Sequence, residues 1–287
     1  MGVTVVNKLK AWVICARPFA LAWIAVNVLV GVSLAGFSLK KWFFSFLVVG
    51  SVLISAHFFN AYFDFIKGFD KVEGGSKPKP YTAGNQVLPR GWLSPRTVKI
   101  STFAWLIVSL ILMFFAPRRI DVYLLYALGV FVAFAYSLWF KPKALGEICL
   151  FLGHGFGTST FAYSLVRPIT AEALAAGTLL GLLAGVIYTV DQHQDVETDF
   201  AKRVKNYAYL ITKANMRLST FFYFAITAVV TIHLAFVLMG ILIASTLKAL
   251  LLMPLFHFAG VLLDYQFEKG VWAVLIAIWL YPILMAL

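Results

Sequence analysis

Seven of the twelve acidic residues stand in two short windows, Asp64, Asp70 and Glu73 in the first and Asp191, Asp195, Glu197 and Asp199 in the second. Each window begins where a long apolar run ends. A carboxylate at such a boundary is costly unless it is paired, bound to a metal or set in a water-filled cavity, so both windows are candidate functional sites. Asn60 and Asp64 are four residues apart and share one face of a helix. Gly68 lets the chain leave that helix, and Asp70 can turn back from the loop. Asp191, Asp195 and Asp199 run at i, i+4 and i+8, drifting about 40° per step around a helix. Oxygen donors without histidine or cysteine at ligand spacing favour hard cations, and Mg2+ prefers one or two carboxylates completed by water and substrate phosphates. His193 falls off the aspartate face and His57 lies nearly opposite Asp64, so both read as polar helix residues, and zinc is not indicated.

Basic residues accompany the acids. Lys67 lies between the first two aspartates, Lys141 just past another apolar run, and Lys202 and Arg203 just after Asp199. Clusters of both signs suit metal ions that bridge carboxylates to a polyanion whose outer oxygens meet Lys and Arg. A diphosphate has that chemistry, and Lys67 and Lys141 are the preferred pair to hold it.

The elements that must position these residues are set by composition. The 287 residues are 62% hydrophobic and 13% charged, with mean hydropathy +0.89; a soluble domain is usually about half apolar. Spans of about 20 apolar residues are expected near 19–39, 42–63, 98–116, 121–140, 144–166, 171–190, 217–239, 241–263 and 271–287, with a turn at Gly240 dividing the seventh from the eighth. The expected fold is therefore all-α: a polytopic membrane protein of about nine transmembrane helices around a central cavity, with a cytoplasmic cap of loops, forming a single domain over 1–287. Four spans separate the two acidic windows. An even number implies a parallel repeat, spans one to four against five to eight plus a ninth, which would bring the acidic faces together.

The net charge of +12 sits in short gaps between apolar runs, which points to membrane topology and away from nucleic acid. Seventeen Lys and Arg fall on the side holding the N-terminus and both acidic windows, against five on the other, placing the first side in the cytoplasm. The first apolar run reads as a retained span rather than a cleaved signal peptide. Cys15 and Cys149 are too few for a disulfide framework and read as buried thiols.

With NAYFDFIKGFD from Asn60 to Asp70 and DQHQDVETD from Asp191 to Asp199, the sequence resembles the UbiA superfamily of intramembrane prenyltransferases, whose marks are acidic motifs after the second and sixth helices. The likeness extends to ARP at Ala16–Pro18, to YSLWFKPKALGE from Tyr136 to Glu147, and to YTAGNQVLPRGWLSPR from Tyr81 to Arg96, which is similar to the loop of the menaquinone-type branch. Ala61 departs from the second acidic residue of many members, and FAKRVKNYAYL after Asp199 departs from their Gly-Lys-Arg-Thr continuation, which leaves the roles of Lys202 and Arg203 open.

The resemblance implies transfer of a prenyl group from an allylic polyprenyl diphosphate to an aromatic acceptor of naphthoate or benzoate type, or to an isoprenoid-lipid acceptor such as geranylgeranylglyceryl phosphate. It implies Mg2+ held by Asn60, Asp64 and Asp70 on one side and by Asp191, Asp195 and Asp199 on the other, with Asp64 and Asp195 as the catalytic aspartates. Arg17, Lys67, Lys141 and Lys202 would bind the diphosphate. A cation-coupled transporter is the competing class; it predicts acids in mid-span, whereas these lie at span ends among lysines. A CDP-alcohol phosphotransferase would need an Asp-Gly-x-x-Ala-Arg pattern that the sequence lacks.

Overall fold

The computed structural model describes residues 8–68, 87–194, 196 and 206–287; Asp70, Asp195, Asp199 and Lys202 lie outside them. Among the described residues all regular structure is helical. A short helix, α1 (Lys8–Ala16), leads into α2 (Pro18–Gly36), α3 (Leu39–Ile66), α4 (Pro95–Met113) and α5 (Ile120–Ala135). Without a break α5 continues into a π-helical turn, Tyr136–Phe140, and a 3-10 turn, Lys141–Lys143. The next span is also composite: α6 (Gly146–Leu150), a π-helical stretch over Phe151–Gly157, and α7 (Thr158–Ser164). Then follow α8 (Ala171–His193), α9 (Tyr207–Lys213), α10 (Leu218–Leu238), a 3-10 segment at Ala244–Leu252 that runs into α11 (Met253–Tyr265), and α12 (Phe267–Ala286).

Eight helical segments among the described residues are long and apolar enough to cross a membrane. The expected span over 144–166 is the one not among them, because the π stretch interrupts its α-helix, although the backbone stays helical from Gly146 to Ser164. The turn expected at Gly240 is present: its φ is +70°, a left-handed conformation open to glycine at no steric cost.

Membrane helices associate through close backbone approach and through polar side chains that bond across the interface. Both devices operate here. α2 packs along α7 and α8 along the Phe151–Gly157 stretch. A Cβ at Gly31 would overlap the Ser159 carbonyl, so α2 and α7 meet only because that side chain is absent. Buried Ser55 donates to the Thr102 carbonyl at 2.7 Å, joining α3 to α4, and Asn27 on α2 donates to the His154 carbonyl at 2.7 Å. His233, Tyr281 and Thr246 form a sealed network between α10, α12 and the 3-10 segment, with 2.5 Å from His233 Nδ1 to the Tyr281 hydroxyl and 2.9 Å from Nε2 to Thr246. The last helix, α12, packs against α11, α8 and α2, which joins the end of the chain to its first span.

At the end of the molecule away from the acidic windows, arginines satisfy carbonyls near helix ends, which have no partner within their own helix, and one in the turn that follows. Arg119 forms a two-bond pair with Asp121 at 3.1 Å and also donates to the carbonyls of Ser164 and Arg167, while Arg167 donates to that of Leu34. At the other end α1 and residues 87–93 pack on α3: Ala11, Cys15, Val87, Leu88 and Leu93 bury themselves with Phe58 and Ala61, one turn of helix from Asn60 and Asp64. Cys15 and Cys149 are buried, as the sequence implies.

Candidate active site

Asn60 and Asp64 sit near the end of α3, only 6% and 4% exposed. Facing them is the extension of α5. Asn60 Nδ2 donates to Ser137 Oγ at 3.0 Å, and Lys141 Nζ donates to Asp64 Oδ2 at 2.7 Å. Ser137 and Lys141 are themselves four residues apart, so two pairs of equal spacing mesh between α3 and the π turn. The turn sets this up. Its widened hydrogen bonding, in which the Lys141 N–H reaches the Tyr136 carbonyl, inserts a residue into the helix and re-aims the side chains that follow.

Arg17 approaches from the other side, its Nη2 donating to Asn60 Oδ1 at 3.4 Å. It links α1 to α2 with φ 52°, a left-handed conformation that is costly for a residue with a Cβ and persists only where the surroundings enforce it. Pro18 enforces it from one side by starting α2. His57, buried on α3, bonds through Nδ1 to the Ala16 carbonyl at 2.9 Å and holds the preceding peptide. Arg17 as a residue is exposed.

The second window begins at the end of α8. Asp191 is half-buried, and Gln194 Nε2 donates to its Oδ1 at 3.4 Å. One turn earlier, the Tyr188 hydroxyl meets that of Tyr136 at 2.9 Å. This bond ties the helix carrying Asp191 to the turn carrying Ser137 and Lys141. Asp70, Asp195, Asp199 and Lys202 lie outside the described residues, and among those described no three His, Cys, Asp or Glu side chains gather as a metal site.

Of the two preferred lysines, the structure brings only Lys141 to Asp64. Lys67 is the exposed cap residue of α3, with Nζ 5.6 Å from the centre of the Phe63 ring. His193, near the end of α8, has its ring 5.9 Å from that of Phe267. Ser137, Tyr136 and Tyr188 were not among the expected site residues. The signal for Ser137 was present: it stands four before Lys141, the spacing of Asn60 and Asp64. The tyrosines carried no such signal, because their pairing depends on where α5 and α8 meet.

Asp64 decides what the arrangement can hold. Its Oδ2 is on the lysine, whereas Oδ1 is buried and has no hydrogen-bond partner among the described residues. A sealed acceptor of this kind is rare in a folded protein unless something else completes it. A hard divalent cation suits it, since carboxylate oxygen, the neighbouring Asn60 amide and anionic ligand oxygens form the donor set that Mg2+ takes.

A comparison with known protein families adds the decisive match: the sequence profile of the UbiA prenyltransferase family fits residues 21–281. The chain belongs to the UbiA prenyltransferase family. It is a prenyltransferase, and an integral membrane protein. In fold it is similar to a UbiA homolog from Archaeoglobus fulgidus solved with DMAPP and Mg2+, with TM-score 0.70 and 16% identity over 96% of this chain and 98% of that one. The same homolog bound to GPP and Mg2+ gives TM-score 0.67, again at 16% identity and over 96% and 98% of the two chains. A structure from work on digeranylgeranylglyceryl phosphate synthase in membranes matches with TM-score 0.64 and 19% identity, covering 97% of this chain and 99% of that one. At such identities the likeness concerns the fold. No curated protein sequence matches.

Proposed function

We propose that this UbiA-family protein transfers a prenyl group from an allylic polyprenyl diphosphate to an aromatic acceptor of naphthoate or benzoate type, releasing diphosphate at the cytoplasmic end of the bundle. The observation that carries the proposal is the state of Asp64: one oxygen on Lys141, the other sealed and without a partner among the described residues. Asn60, Asp64 and Asp70 would hold Mg2+ on the side of α3, and Asp191, Asp195 and Asp199 on the side of α8. Bound there, Mg2+ would supply Lewis-acid neutralisation of the leaving diphosphate.

The remaining work falls to side chains. Lys141 stands at the carboxylate and presents its ammonium to the outer diphosphate oxygens, and Arg17, exposed and oriented by Asn60, does so from the α1–α2 junction. Lys67 and Lys202 are further candidates for the same anion. Positive charge fixed where negative charge grows lowers the barrier to breaking the allylic C–O bond. Phe59, whose ring lies 5.9 Å from that of Phe63 and 4.8 Å from that of Phe134 beside the motif, would with them keep water from the cationic carbon and face it with π density. The acceptor carbon then bonds to the allylic carbon and loses its proton to a motif carboxylate or water.

Support for the aromatic acceptor comes from the 81–96 loop resemblance. The structural likeness to a digeranylgeranylglyceryl phosphate synthase keeps an isoprenoid-lipid acceptor as the second reading. The charge bias supports cytoplasmic placement of the N-terminus and both motifs. The deciding experiment gives the purified protein Mg2+, a labelled allylic diphosphate and a panel of naphthoate, benzoate and geranylgeranylglyceryl phosphate acceptors. Prenylation of an aromatic acceptor, lost in Asp64→Ala and Asp195→Ala, is expected; exclusive use of the glyceryl phosphate would establish the second reading, and cation-coupled solute uptake without turnover would defeat both.

A further inference from the structure

One buried carboxylate stands outside the site just described. Glu147, in the first turn of α6, is 5% exposed. Its Oε1 accepts the backbone N–H of Tyr207 at 3.0 Å, across 60 residues of chain. Its Oε2 is sealed from solvent, and the Thr189 hydroxyl on α8 lies within hydrogen-bonding reach of the carboxylate. Tyr207 is the first residue of α9, and the first N–H groups of a helix have no partner within it. Glu147 supplies that partner from a different span.

Next to this contact the chain is drawn together a second time. Asn206, buried, caps α9 by accepting the Tyr209 N–H at 2.7 Å, and its Nδ2 reaches Gln192 Oε1 on α8 at 3.5 Å. Gln192 directly follows Asp191. On the other flank α6 lies tight against α8: a Cβ on Gly146 would stand 2.8 Å from the Tyr188 hydroxyl, closer than real Cβ contacts. The Tyr188 phenol is within electrostatic reach of both Glu147 and Asp191. Asp191 at the end of α8 and the start of α9 are therefore fastened to each other and, through Glu147, to the fifth span.

We infer that Glu147 is a positioning residue for the second acidic motif: by holding the start of α9 against α6, its carboxylate fixes Asp191 relative to Asp64. Loss of the side chain leaves the Tyr207 N–H without the acceptor it has in the folded protein, which costs the desolvation of that donor. Carboxylate ligands oriented by such outer partners lose metal affinity when the partner is removed. The inference rests on the proposed use of Asp191 as a metal ligand.

The test uses the full-length protein in detergent, with Mn2+ in place of Mg2+ and geranyl thiodiphosphate as an unreactive substrate analogue. Bound Mn2+ is titrated by electron paramagnetic resonance, and hydrogen exchange is followed in the peptide covering 206–213. In Glu147→Ala, Mn2+ binding is expected to weaken by about ten-fold, with faster exchange in that peptide. Glu147→Gln keeps an oxygen acceptor for the Tyr207 N–H and is expected to stay near wild type in both. Unchanged Mn2+ affinity in Glu147→Ala, with wild type binding normally, overturns the inference. So does a loss of affinity accompanied by faster exchange throughout α2, α3 and α8, which would mark general unfolding. Failure of the wild type to bind Mn2+ with the analogue would instead overturn the proposed function.

Discussion

Lys141 Nζ lies 2.7 Å from Asp64 Oδ2 across 77 residues of chain, while Asp64 Oδ1 is buried and has no partner among the described residues. The ammonium and the carboxylate stabilise each other. Lys141→Met strands a buried negative charge, and with the lysine partly exposed the expected cost is about 1–3 kcal/mol. Activity should also fall by about 100-fold, the range for losing one group that stabilises transition-state charge. Asp64→Asn combined with Lys141→Met should recover the thermal stability and none of the turnover. Recovery of turnover in the double variant would show that the pair serves only the fold.

Because Lys141 gives Asp64 a partner from within the protein, metal removal should disable the protein without unfolding it. Treatment with EDTA is expected to abolish prenyl transfer and leave the melting temperature nearly unchanged. Adding Mg2+ together with an allylic diphosphate should raise it, since a ligand that binds only the folded state stabilises by about 2.7 kcal/mol at 100 times its dissociation constant. A fall in helicity on chelation would point to a structural role for the metal.

Arg17 keeps its left-handed backbone with help from the bond between His57 Nδ1 and the Ala16 carbonyl. His57→Ala should therefore raise KM for the allylic diphosphate more than it lowers kcat. Residues acting through one another give non-additive effects, so Arg17→Ala with His57→Ala should be little worse than Arg17→Ala alone. Additive losses in steady-state assays would separate the two residues.

Sidedness can be read with an impermeant maleimide on intact cells. Cys15 and Cys149 are buried and should stay silent, whereas Lys40 and Lys143 are exposed at opposite ends of the bundle. Lys40→Cys should label from outside and Lys143→Cys only after permeabilisation. The reverse pattern would invert the proposed topology.

The sequence by itself determined the class of molecule and marked a candidate place for its chemistry. Apolar runs of span length leave the backbone no choice but helix, because a bilayer offers no other hydrogen-bond partners. Scarce acids at span ends mark a site because burying them without purpose is too costly. Asn60 and Asp64 emerged as one face from spacing alone, and Gly240 as a turn from its conformational freedom.

What only the tertiary structure decided is which distant groups meet. Lys67 and Lys141 are alike as sequence, yet Lys141 reaches Asp64 because a π turn re-aims the end of the fourth span, while Lys67 rests on Phe63. Such a turn has no local signature, since it costs one i→i+4 bond and is held in place by contacts elsewhere. Tyr136 with Tyr188, and Glu147 with Tyr207, are set by helix crossings whose spacing depends on the missing side chains of Gly146 and Gly155. Periodicity along one helix gives the direction of a side chain, and the packing of several helices gives the partner it finds.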